Sequence, residues 1–253
     1  MLNLVERNLK SRFRNQDLFS RNELLALFRE IEPELNENTM NWRIHHLRKK
    51  NVISQIKSGY YSFSHKKKYT PSITEDIPEF TKIIDADFPD YRYCIWSTVW
   101  LNEFSLHQSI KKLLIIEIEK EAEESLFYSL VEKYWRRVFF RPDQKVIDRY
   151  VTECENPVII KRLLTRSPLE KLNFDKSEVI MPRLEKMLVD IFAEDKLYYL
   201  YQGTEMVNIF YNAINTYAVD FTKLLGYAAR RGKGNEIKQF LAENNFSIKV
   251  ELK

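Results

Sequence analysis

The chain has 253 residues, enough for two domains with substantial cores. Apolar and aromatic contents are ordinary, and only five Gly and eight Pro are present, which excludes extensive disorder. The net charge of +4 is unevenly spread: residues 1–70 hold 14 Lys and Arg against 7 Asp and Glu, so the remainder is slightly acidic. No apolar run approaches the roughly 18 residues needed to span a bilayer. The start, Met-Leu-Asn-Leu-Val-Glu-Arg-Asn, is polar and acidic where a secretory signal would be apolar. Cys94 and Cys154 form no metal-type pair, and Cys94 in Tyr93-Cys94-Ile95-Trp96 reads as a buried free thiol. These features predict a reduced, cytoplasmic protein with no membrane span, no metal and no cofactor.

Leu2, Val5, Leu9 and Phe13 are spaced for one buried face of a first helix. Ser20-Arg21-Asn22-Glu23 reads as a capping box, opening a helix with Leu24, Leu27 and Phe28 inward and ending at or just before Pro33. Asn36 caps a third helix whose Met40, Ile44 and Leu47 turn to the core. Residues 52–56 and 60–63 alternate as strands, and Gly59 supplies the positive φ that a tight hairpin needs. Residues 65–77, with Lys66-Lys67-Lys68 and Pro71, read as a basic linker.

Beyond it the pattern alternates. Helices are predicted over 78–87, 121–135 and 143–151, and strands over 91–97, 113–119, 138–140 and 158–163. After Pro182 four helices follow, over 183–194, 204–216, 220–231 and 235–243, with an edge strand over 247–252. The predicted fold class is α+β: an N-terminal winged helix-turn-helix (1–64), the linker, then a mixed α/β domain with a helical C-terminal part (78–253).

The order helix, helix, basic helix, hairpin is that of a module whose last helix enters a DNA major groove. Opposite the buried stripe of the third helix stand Asn38, Trp42, His45, His46 and Lys49, with Thr39 at the flank. Asn38, Thr39, Arg43, His46 and Lys49 have side chains suited to base edges or phosphates. Trp42 is expected to pack on the hairpin in the free protein. His45 and His46 lack a third metal ligand, so phosphate contact or a structural role is expected of them. Lys57 at the hairpin tip and the three linker lysines are expected on phosphate. The bland alternative is a solvated face on a protein-binding module.

Several stretches resemble the AbiEi-like antitoxins of abortive-infection and type IV toxin–antitoxin systems, in their long Bacteroidetes-type branch. They are Thr39-Met40-Asn41-Trp42-Arg43-Ile44 with Ser58-Gly59-Tyr60-Tyr61; Tyr93-Cys94-Ile95-Trp96-Ser97-Thr98 with Leu101-Asn102-Glu103-Phe104; Glu185-Lys186-Met187-Leu188-Val189-Asp190; and Val219-Asp220-Phe221 through Ala228-Ala229-Arg230-Arg231-Gly232. The resemblance implies an operon autorepressor, possessing an inverted-repeat operator in double-stranded DNA, that counters a nucleotidyltransferase toxin. Two copies of the chain on one operator would form a homodimer on DNA. Lys186, Asp190, Arg230 and Arg231 are the expected antitoxin surface, with Lys186 and Asp190 an exposed i, i+4 pair.

Two other classes compete. A metal-dependent nuclease would use Asp90 with Glu117 and Glu119, which share a strand face, but Lys120 directly follows Glu119 and points to the opposite face. A stand-alone transcription factor would sense a small ligand in the α/β domain. No phosphate loop, Gly-x-Ser-x-Gly elbow or nucleotidyltransferase pattern occurs. The expectation is therefore no catalytic residue.

Overall fold

A computed structural model of the chain describes residues 2–13, 16, 18–50, 52–63, 66–74, 76–109, 111–174 and 177–246. The edge strand expected over 247–252 and His65 of the linker lie outside the described residues.

The N-terminal elements are α1 (Leu2–Arg12), β1 (Phe19–Ser20), α2 (Arg21–Ile31), α3 (Glu37–Lys49), β2 (Ile53–Lys57) and β3 (Tyr60–Phe63). Local chemistry sets their boundaries. The Ser20 hydroxyl accepts from the Glu23 N–H, and the Glu23 carboxylate accepts from the Ser20 N–H, closing the expected capping box. Asn36 Oδ1 accepts from the Thr39 N–H at 2.8 Å and starts α3. The hairpin turns at Gly59, whose φ is +74°. The three strands pair antiparallel in the order β1-β3-β2. Val5, Leu9, Phe13, Phe19, Leu24, Leu27, Phe28, Met40, Ile44, Leu47, Ile53 and Tyr61 form one core, with the Phe13 and Phe19 rings stacked at 4.6 Å.

A second core holds the rest of the chain. Its elements are α4 (Asp76–Asp87), β4 (Tyr93–Ser97), β5 (Leu114–Ile118), α5 (Glu123–Lys133), β6 (Val138–Phe140) and α6 (Gln144–Val146), which runs into a π-helical turn. Then follow β7 (Val158–Arg162), β8 (Leu169–Phe174), β9 (Ser177–Pro182), α7 (Leu184–Ala193), α8 (Thr204–Thr216), α9 (Phe221–Arg230) and α10 (Gly234–Glu243). The main sheet is mixed, in the order β4-β5-β7-β6: β4 and β5 are antiparallel, while β5, β7 and β6 run parallel. Its two faces are covered by different helices, as strand alternation requires. On one face the Tyr93 O–H donates to Asp85 of α4 at 2.8 Å, and α4 meets α5 through Phe80 and Tyr134. On the other, Glu117 reaches α7. The hairpin β8-β9 and the 3-10 helix Thr98–Glu103 were not anticipated by the strand and helix patterns.

The two cores adjoin. Strand β2 packs against α9, and Arg48 at the end of α3 lies 3.3 Å from the Asp220 carboxylate that caps α9. The expected linker lies along the second core, its three lysines exposed but Lys66 and Lys68 anchored there. Lys66 Nζ donates to the Ile214 carbonyl, Lys67 bridges Tyr217, and Lys68 pairs with Glu170. No helix of the described residues is long and apolar enough to cross a membrane.

Candidate nucleic-acid interface and a buried charge network

The capping and core contacts of α3 leave one side of it facing outward. Asn38, Asn41, Trp42, His45 and Lys49 are exposed there, with Thr39 and His46 half-buried at its edges. No carboxylate lies between Asn41 and His46 on this face; Glu37, at its margin, sits 3.6 Å from Arg21. Trp42 is 56% exposed and stacks on His46, with ring centroids 5.2 Å apart, rather than on the hairpin as expected. The reason is spacing: Trp42 and His46 are one turn apart, so their rings meet on the helix itself. The Thr39 hydroxyl donates to Asn36 Oδ1 at 3.0 Å and so belongs to the helix cap. The side chain of Lys57 lies outside the described residues.

Arg43 departs from expectation. It is 5% exposed, its guanidinium pairs with Glu32, and it lies over the Phe28 ring at 5.9 Å. Its place on the helix, one residue before the core position Ile44, turns it back onto α2. It is a packing residue, not part of the outward face.

The expected antitoxin surface is corrected more sharply. Lys186 is fully buried and Asp190 is 1% exposed. They do form an i, i+4 pair, but inside the second core. Lys186 Nζ also donates to Glu117 of β5 at 2.6 Å, and the Tyr227 O–H donates to Asp190 at 2.8 Å. Arg231 Nε lies 3.5 Å from Asp190, and Arg231 pairs with Glu194, which also holds Lys161 of β7 at 2.5 Å. Register explains the convergence: Cys94, Glu117 and Lys161 are partners across β4, β5 and β7 and point to the α7 side. Burial pushes the Glu117 carboxyl up, despite the nearby Lys186. Burial also opposes ionisation of Asp190, but Lys186, Lys161 and Arg231 together hold its carboxyl below the usual value. The same two carboxylates more than offset the cost of burial on Lys186 and keep it charged. Burial raises the Cys94 thiol, so the free cysteine expected inside is also a poor nucleophile.

Arg230 stays exposed, donating to the Arg166 carbonyl at 2.8 Å, while Arg231 is largely enclosed by the network. The nuclease set is not assembled. Glu117 is sealed against Lys186, Glu119 turns to Arg92, and Asp90 lies in an exposed turn. Among the described residues no three His, Cys, Asp or Glu gather as a metal site. A sequence signal for the buried network existed: α7 is apolar all round, with Leu184, Met187, Leu188, Val189 and Ile191 flanking its charges, as in an interior helix.

One core of three helices with a small antiparallel sheet, against another of a mixed sheet between helical layers, defines an α+β protein. The chain belongs to a family of unknown function, DUF6577, whose model matches residues 39–247. That span takes in most of α3, the hairpin and the whole second core. No curated protein matches the chain.

Proposed function

We propose that the N-terminal core is a winged helix-turn-helix that binds duplex DNA through α3, and that the chain is a non-catalytic, cytoplasmic autorepressor and antitoxin. The observation that carries the DNA reading is the outward face of α3. It offers Asn38, Asn41, His45 and Lys49 around an exposed indole, without a carboxylate, on the most basic third of the sequence. The element order α1-β1-α2-α3-β2-β3 and the sheet order β1-β3-β2 support it: α3 follows α2 and precedes the hairpin, resting its inner side on β2 while its other side stays exposed. Asn and His reach base edges, and Lys49 supplies a phosphate contact. Two copies on an inverted repeat would place their α3 helices about 34 Å apart.

The antitoxin half of the reading rests on the sequence resemblance. With Lys186, Asp190 and most of Arg231 enclosed, any surface offered to a nucleotidyltransferase toxin must use other residues, of which Arg230 is the exposed member of the expected set. Co-expression with the product of the adjacent gene tests it. Growth rescued by the full chain, and retained when Lys49 is changed to Ala, is the expected result; a chain that folds and represses but rescues no toxic neighbour would leave a repressor only.

A further inference from the structure

A cleft of about 460 Å³ opens on the second core between the β7–β8 loop and α9. Four cations line it, Arg166, Arg183, Lys223 and Arg230, together with the hydroxyl residues Ser167 and Thr222, and none of its lining residues is acidic. Two of the cations are held from behind: Glu185, itself 1% exposed, pairs with Arg183 at 3.2 Å, and Asp220 with Lys223 at 2.5 Å. Arg166 and Arg230 have no carboxylate partner among the described residues, so the cleft carries about two uncompensated positive charges.

Arg230 is fixed before anything binds. Its guanidinium donates to the Arg166 carbonyl at 2.8 Å and lies over the Tyr227 ring at 5.7 Å. Arg166 holds a left-handed backbone, with φ of +57°, an uncommon conformation for a residue with a side chain. The wall of α9 between Thr222 and Arg230 is opened by Gly226. A Cβ there would meet only the Arg230 guanidinium, at 3.8 Å, so packing does not require glycine in the middle of this helix. A glycine here costs helix stability without a packing reason, and in a cationic cleft it leaves room for a ligand to approach the backbone closely.

We propose that this cleft binds a small phosphate ester, with Arg230 and Arg166 on the phosphate oxygens, Lys223 and Arg183 as flanking charge, and the groove at Gly226 receiving the rest of the molecule. A dianionic phosphate group matches the uncompensated charge, and the fixed Arg230 guanidinium suits its oxygens in a bidentate manner. The inference does not depend on DNA binding by α3.

The test is calorimetric titration of the full chain with inorganic pyrophosphate, and then with ADP. One saturable site is expected, weakened at least about tenfold by Arg230→Gln and by Arg166→Asn, the latter keeping a residue that tolerates the left-handed backbone. Gly226→Leu alters no charge and should weaken binding by a similar factor if the groove is occupied, while Lys49→Ala on α3 leaves it unchanged. Tighter binding of ADP than of pyrophosphate would place an ester in the groove and support the proposal; equal binding would leave the groove without a role and overturn it. Absence of saturable binding in a folded wild-type chain would overturn the proposal. So would loss spread equally to Lys49→Ala, or wild-type affinity in Gly226→Leu. Displacement of pyrophosphate by random duplex DNA, in a manner lost with Arg230→Gln, would hand the cleft to a nucleic-acid backbone and refute a small ligand.

Discussion

Lys186 has no exposed surface, and its ammonium is shared between Glu117 and Asp190, one from the sheet and one from its own helix. Removing it strands two buried carboxylates, so Lys186→Met should destabilise the second core by roughly 3–5 kcal/mol in denaturant unfolding, although it adds apolar bulk. A cost below about 1 kcal/mol would mean that the carboxylates are solvated. Asp190 gives the network a pH signature. Its folded-state pKa is lowered, so its contribution is present above the ordinary carboxyl value of about 4 and is lost as pH falls through the lower folded value. Glu117 runs the other way: burial holds its pKa up, and its stabilising share fades as pH rises through that raised value. The stability deficit of Asp190→Asn against the wild type should therefore shrink between pH 7 and pH 3, and a deficit independent of pH would contradict the assignment. Arg43 makes a different prediction from the one its sequence position suggested. With its stem packed on Phe28 and its head on Glu32, Arg43→Ala should lower the stability of the N-terminal core by about 1–3 kcal/mol, and should weaken DNA binding only as far as that core unfolds.

Among the helices, α2 and α3 were legible because their start signals are local. Ser20 with Glu23, and Asn36 with Thr39, need only three residues of sequence to declare a cap. Ser20→Ala should accordingly cost about 1 kcal/mol, readable as a lowered unfolding midpoint. The hairpin β8-β9 was not legible. Its first strand, Leu169–Phe174, breaks the period-two pattern with Glu170 beside Lys171, and lies half in solvent, so no buried stripe marks it. For α7 the sequence shows the spacing of Lys186 and Asp190 but not their setting. An i, i+4 pair looks the same in a sequence whether it faces water or a sheet, and the partner that settles the matter, Glu117, is 69 residues away. In α9, Gly226 is the position for which the protein's own contacts give no reason. Changing it to Ala removes a helix penalty at a site with room for a methyl group and should stabilise the protein by about 0.5–1 kcal/mol.

The two cores differ in charge. The basic excess sits in the first 70 residues and the second core is close to neutral, yet the pieces are not loosely strung. Asp220 receives Arg48 from α3 and Lys223 from the cleft-lining helix on the same carboxylate oxygen, β2 lies on α9, and the lysines after β3 are tied to the second core. The outward face of α3 remains clear of these contacts. Its use is the claim on which the functional account turns, and the most direct measurement is equilibrium binding of the full chain to the DNA upstream of its own gene, across a range of salt. The account predicts submicromolar affinity at low salt, a steep fall with salt, and a slope reduced by about one in Lys49→Ala, with Asn38→Ala and His45→Ala losing preference for that DNA over a random duplex. A folded chain that ignores duplexes of every sequence even in dilute buffer, or α3 variants that bind as the wild type does, would contradict it.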